Sequence, residues 1–253
     1  MSKIYIVFGI ALFISSCASS DKGSSMDKQD VKRHWIAEPT DNVVTIIGVS
    51  NPMMRRDDEI AAAKEDAAKK AAMYYGVQGR IEAAYRDGVD FFDYIDDSRI
   101  EIVYDKSYTK YIEQLTFDPK NDVLITKEAI FVCFKLVAAA KRVKYTAKFD
   151  SDGRPVWINN RQLPQVDGYI TAVGFAQKQW HLKDTIYKAT EAAVARMVET
   201  ASTKISEKID TGSANVSYSV QSKGKLENFH VIEFWIEPKT NHVYTLAIAK
   251  LVR

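Results

Sequence analysis

Val43-Val44-Thr45-Ile46-Ile47-Gly48-Val49-Ser50 and Tyr169-Ile170-Thr171-Ala172-Val173-Gly174-Phe175-Ala176 are one phrase written twice, 126 residues apart. Threonine falls on threonine, glycine on glycine, and the apolar positions agree. At the same offset Asp58 meets Asp184, Ile60 meets Ile186, Ala63 meets Ala189 and Ala67 meets Ala193. Ahead of each phrase stand a tryptophan and a proline, Trp35 with Pro39 and Trp157 with Pro164. Further on, Phe117-Asp118-Pro119-Lys120 echoes Ile236-Glu237-Pro238-Lys239, and the copies close on Lys135-Leu136-Val137 and Lys250-Leu251-Val252. Echoes in a constant order mark a duplicated structural unit, with loop insertions absorbing the drift in offset.

Each copy reads as a strand, a long helix and an antiparallel set of strands. The phrases are β-branched and too short for a helix. After the first, 57–85 is rich in alanine, lysine and glutamate without proline, which predicts a helix with acidic residues in its first turn. Gly76 and Gly79 weaken its far end. Ile60, Ala63, Ala67, Ala71 and Tyr74 recur at three- and four-residue steps and predict a slim buried stripe. The second copy predicts a helix over 182–209, buried through Ile186, Ala189, Ala193, Met197, Ala201 and Ile205. Strands are expected at 100–104, 109–117 and 123–137, then at 215–220, 229–236 and 242–252. Pro119 and Pro238 fall in tight connections, where a missing N–H removes no ladder bond. The expected class is α+β: two tandem two-layer modules of order β-α-β-β-β, each a helix on an antiparallel-rich sheet. Their bounds are 35–145 and 146–253.

The amino terminus reads as an address. Lys3 precedes an apolar run over 4–14, too short to span about 30 Å of hydrocarbon. The run ends at Ile14-Ser15-Ser16-Cys17, which resembles the lipobox of bacterial lipoproteins. That resemblance implies a signal peptide over 1–16, diacylglyceryl transfer to the Cys17 sulfur, and acylation of the new terminus by chains of the palmitate kind. Each buried CH2 would contribute about 0.8 kcal/mol, so several chains would hold the protein in a membrane. Residues 19–30 are small, polar and charged, and 17–34 are expected to be a flexible tether. Ala18 after the cysteine points to the outer membrane of a bacterial cell envelope.

A lipobox, a Trp-Ile-Pro lead-in, a strand ending in glycine at Val173-Gly174 and an alanine-rich helix together resemble the LPP-twenty family of bacterial lipoproteins. The closing strands fit as well, with Glu233-Phe234-Trp235-Ile236 and Val243-Tyr244-Thr245-Leu246-Ala247. Flagellar FlgT-type amino-terminal domains are similar. Residues 157–253 match better than the first copy, which departs from the pattern over 86–97. The resemblance implies envelope lipoproteins without catalytic residues to carry over.

Composition narrows the function further. Of 253 residues 46% are apolar and 27% charged, and 35 basic side chains oppose 33 acidic ones, a net charge of +2. So even a balance leaves no electrostatic footprint for nucleic acid. Two distant cysteines exclude a disulfide scaffold and a four-cysteine zinc site. The histidines, at 34, 181, 230 and 242, lack metal-ligand spacing; only His230 and His242 could meet, across the last hairpin, and exposed strand positions are the plainer reading. Asp87, Asp90, Asp93, Asp96 and Asp97 do not match an EF-hand and read as a solvated loop or short helix, with a cation or partner site as the alternative. Cys133 sits in an apolar strand as a small hydrophobe. Lys141, Arg142, Lys144 and Lys148 read as a solvated linker strand, with contact to anionic lipid or a partner as the alternative. Gly48 and Gly174 stand outside any G-x-G-x-x-G or P-loop pattern, and close helix approach explains them.

No enzyme, metal or cofactor is expected. The expected function is a lipid-anchored envelope lipoprotein acting as a non-catalytic binding or assembly module for other envelope proteins. The alternative is a receptor holding a small ligand between the modules. Trp35, Trp157 and Trp235 are the candidate interaction residues, and Cys17 is the lipid attachment site.

Overall fold

The computed structural model describes residues 44–86, 99–137, 145, 148–151, 153–159, 163–201, 205–209 and 217–252. Within them the chain is mixed helix and antiparallel sheet, the α+β class. Strand β1 (Val44–Ser50) leads into helix α1 (Arg56–Tyr75), then β2 (Val77–Arg86) and β3 (Arg99–Tyr104). A 3-10 turn (Tyr108–Gln114) and the short strands β4 (Leu115–Thr116) and β5 (Val123–Ile125) precede β6 (Ile130–Leu136). The second half runs through a 3-10 turn (Val156–Asn159), β7 (Ile170–Ala176), α2 (Leu182–Ala201), β8 (Ile205–Ile209), β9 (Ser217–Ile236) and β10 (Val243–Val252).

The duplicated phrases form β1 and β7, and both place their glycine against a helix. A Cβ on Gly48 would lie 2.1 Å from the Ala63 carbonyl oxygen, and one on Gly174 would lie 1.8 Å from that of Ala189. Each helix therefore crosses its strand at backbone contact, which no side chain permits. The neighbouring strand repeats too, because β6 pairs antiparallel with β1 and β10 with β7.

Beyond that shared kernel the copies do not keep to separate sheets. The four-stranded sheet runs β1-β6-β4 with β5 also on β6. The six-stranded sheet runs β3-β2-β9-β10-β7 with β8 also on β9. The hairpin β2–β3, from the first copy, thus extends the sheet of the second. Alternation along β1 and β6 splits the smaller sheet's faces. Val44, Ile46, Val132 and Phe134 share a buried cluster with α1, while Val49, Phe131 and Cys133 cluster with Ile186 and Phe234 of the second half. Both faces of that sheet are buried, one under α1 and one under the other half of the chain.

Several sequence-derived bounds move for identifiable reasons. The first helix ends at Tyr75, not 85, because Gly76 turns to extended backbone and Val77 enters the ladder with Leu226 and Tyr104. Gly79 is a strand residue opposite Gly224, and Val198 of α2 sits over both. The second helix ends at Ala201, and 205–209 is β8. Residues 109–117 are mostly a 3-10 turn, with Tyr111 stacked on Tyr75 at 4.9 Å. The expected strand over 123–137 is a hairpin, closed by Thr126 accepting the Ala129 N–H at 3.0 Å. The two expected strands over 215–220 and 229–236 are one, β9, which pairs with β2 through its first half and β10 through its second. Asn228, with φ 55°, lies in this strand where its register with β10 shifts.

Candidate binding surface

In both halves the strand-to-helix loop is closed in the same way. The Met53 N–H donates to Glu59 Oε1 at 2.8 Å, and the Gln179 N–H donates to Thr185 Oγ1 at 3.0 Å. The same two residues begin each helix's own ladder, Glu59 N–H to the Arg55 carbonyl and Thr185 N–H to that of His181, both at 3.2 Å. These positions correspond at the 126-residue offset. Each loop is therefore pinned by the first helical turn, and the residue after the pinned N–H projects outward. That residue is Met54 in one copy, 102% exposed, and Trp180 in the other, 92% exposed.

The two tips lie toward one end of the molecule. Ser50, before the first loop, pairs with Ile130, which also pairs with Ile125. Val49, Leu124, Ala129, Ala176 and Ile186 share one buried cluster with Leu182 against it. Phe131 stacks on Phe234 at 5.9 Å and joins the ends of the two sheets. Ile125, half exposed, and Met53 add to the same end.

A polar clamp holds α1 to the free edge of β1. Asp66 Oδ2 accepts the Val49 N–H at 2.9 Å and the Lys70 ammonium at 2.7 Å. Lys70 also donates to the Ile47 carbonyl at 2.8 Å. Next to it lies a cavity of about 50 Å³ between the halves, lined by Thr45, Lys70 and Cys133 on one side and Thr190, Phe229 and Phe234 on the other. A cavity of that size holds a few waters rather than a drug-sized ligand.

Trp157 and Trp235 are both buried, in the cluster behind the six-stranded sheet with Ile158, Val173, Leu246 and Ile248. In that cluster Tyr145 donates to Glu233 Oε2 at 2.7 Å. Burial first, then the Glu233 charge, pushes the Tyr145 phenol far above its ordinary range. Cys17, Trp35, Asp87, Asp90, Asp93, Asp96 and Asp97 lie outside the described residues, as do Lys141, Arg142 and Lys144; Lys148 is exposed. The last hairpin separates its histidines: His230 pairs opposite Ile248, whereas His242 precedes the Val243–Ile236 pair at the turn. His230 is also buried rather than exposed, its Nδ1 2.9 Å from the Asn228 carbonyl. Cys133 is buried in β6, as its apolar surroundings predict. Among the described residues no three His, Cys, Asp or Glu side chains gather as a metal set, and no helix is long and apolar enough to cross a membrane.

Sequence reasoning passed over Met54 and Trp180. The signal was the same offset that aligned the strands, since a large apolar residue recurs there in a polar loop. No family model matches the chain, and no curated protein or solved structure matches it either.

Proposed function

We propose that the chain is a lipid-anchored lipoprotein of the bacterial cell envelope, similar to the LPP-twenty family. It carries a duplicated strand–helix kernel whose two copies share a sheet, and it acts without catalysis as a binding or assembly module. Cys17 carries the lipid, the outer membrane is its site, and other envelope proteins are its partners. One observation carries the outward-facing part of this reading. Large apolar side chains stand in solvent at Val103, Val137 and Phe149 as well as at Met54, Ile125 and Trp180, while the cavity between the halves measures only about 50 Å³. Contact area is offered outside, not inside. An anchored module also gains from effective concentration.

A second reading is a receptor for a small ligand, favoured by the place of that cavity between the halves and by Lys70 at its wall. Crosslinking in intact cells, followed by purification, separates the two. A discrete envelope-protein adduct is expected, and a co-purifying small molecule without any adduct overturns the first reading. The anchor has its own test. Cys17→Ala is expected to move the protein from the membrane pellet into the soluble fraction, and retention in the pellet refutes acylation at that residue.

A further inference from the structure

We infer that the end of the molecule carrying Met53, Met54, Ile125 and Trp180 docks on the bilayer interface, leaving the remaining surface to protein partners. Met53 and Met54 project from the 51–55 turn, Trp180 from the 177–181 turn and Ile125 from the end of β5 beside the 126–129 turn, rather than lining a groove. A protein partner would need a socket for each protruding group, because interface hot spots are desolvated in fitted pockets. The interfacial layer of a membrane accepts each one without a preformed complement.

Chemistry points the same way. Tryptophan is favoured at the headgroup level, where its ring meets hydrocarbon and its N–H meets water. Unbranched methionine fits irregular apolar surroundings. Every tip has cations beside it: Arg55 and Arg56 follow Met54, Lys127 follows Ile125, and Lys178 and Lys183 flank Trp180. Such side chains can reach phosphates while their stems remain in apolar surroundings. Arg56 is paired with Glu59, and Asp57, Asp58, Glu128 and Asp184 lie nearby, so that charge is balanced. Insertion of the apolar tips is therefore the main attraction, and headgroup contact orients it.

The tips are also rigid enough to insert together. Glu59 and Thr185 tie down the loop backbone immediately before Met54 and Trp180, so little loop entropy is lost on docking. The proposed lipid at Cys17 supplies proximity only, and the inference rests on that reading to this extent. Twenty-six residues separate Cys17 from Val44, and at up to about 3.5 Å each they allow this end to face the membrane.

The test uses the full acylated protein in a Trp35→Phe background, reconstituted into phosphatidylethanolamine–phosphatidylglycerol vesicles with brominated acyl chains. Trp180 fluorescence is isolated by difference from the Trp180→Phe variant, which keeps an apolar ring there. Quenching of the Trp180 signal by brominated lipid, with shielding from aqueous iodide, is expected. A Met54→Ser/Trp180→Ser variant of the Cys17→Ala chain is expected to bind vesicles at least about tenfold more weakly than Cys17→Ala itself. Trp180 open to iodide and untouched by bromine overturns the docking, even if the protein stays membrane-bound through its lipid. Crosslinks from position 180 to a protein, with no lipid contact, also overturn it. Lipid quenching of Trp180 that persists in the Cys17→Ala chain supports docking whether or not the anchor reading stands.

Discussion

Gly48 and Gly174 are the residues on which the duplicated kernel turns. At each, the atom a methyl group would strike is a helix carbonyl, at 2.1 Å and 1.8 Å, and backbone cannot swing aside as a side chain end can. Gly48→Ala and Gly174→Ala are each expected to cost about 3 kcal/mol or more in denaturant unfolding. Gly76→Ala is the control: its nearest neighbour would be 3.9 Å away and its backbone is extended, so the change is expected to be small. A second residue-scale consequence concerns Glu191. Burial raises its carboxyl above the usual value, against opposing help from a Tyr187 hydrogen bond. The folded state thus holds the proton more tightly than the unfolded chain. That contribution is complete below the unfolded pKa and is lost as pH rises through the folded one. Glu191→Gln is expected to raise the denaturation midpoint near pH 7, and the gain should vanish by about pH 4. A gain of equal size at both pH values would contradict the assignment.

At the scale of the element, burial decides which ion pairs matter. On α1, Glu65–Lys69 and Asp66–Lys70 are both spaced i,i+4, yet the Glu65 side chain is 49% exposed and that of Asp66 only 5%. Asp66 and Lys70 satisfy β1 edge groups that would otherwise be buried without water, besides pairing with each other. Asp66→Ala is expected to destabilise by about 3 kcal/mol, and Glu65→Ala by less than about 1 kcal/mol. Chemical denaturation of both variants checks the ratio; equal losses would mean that the clamp does not hold the edge. The helices themselves were legible, since their alanine content and small-residue stripe are local properties. Their ends were less so. Residues after Gly76 have fair helical neighbours, but Val77 and Gly79 find ladder partners in β9, more than a hundred residues away. Polar 221–225 likewise looks like a loop and is strand, because Gly224 pairs opposite Gly79 beneath Val198. Met54 and Trp180 were readable only after the offset had been carried into the loops.

For the whole molecule, the decisive feature is that the halves share a sheet and a core. β2 and β3 complete the six-stranded sheet, and Ala193, Val194 and Leu226 join the cluster built on α1. The fragment 146–253 is therefore expected to lack a cooperative unfolding transition, whereas the entire chain should unfold in one step. A well-dispersed, cooperatively melting fragment would refute this coupling. The sequence by itself determined the repeated strand–helix kernel, the close approach at its two glycines and the α+β class, because periodicity and the absence of a Cβ act over a few residues. Only the tertiary structure decided which strands pair across the copies, that Trp157 and Trp235 lie inside, and that Met54 and Trp180 stand out at one end. Those outcomes follow from which apolar faces cover one another, a competition between distant segments in which no local pattern carries the result.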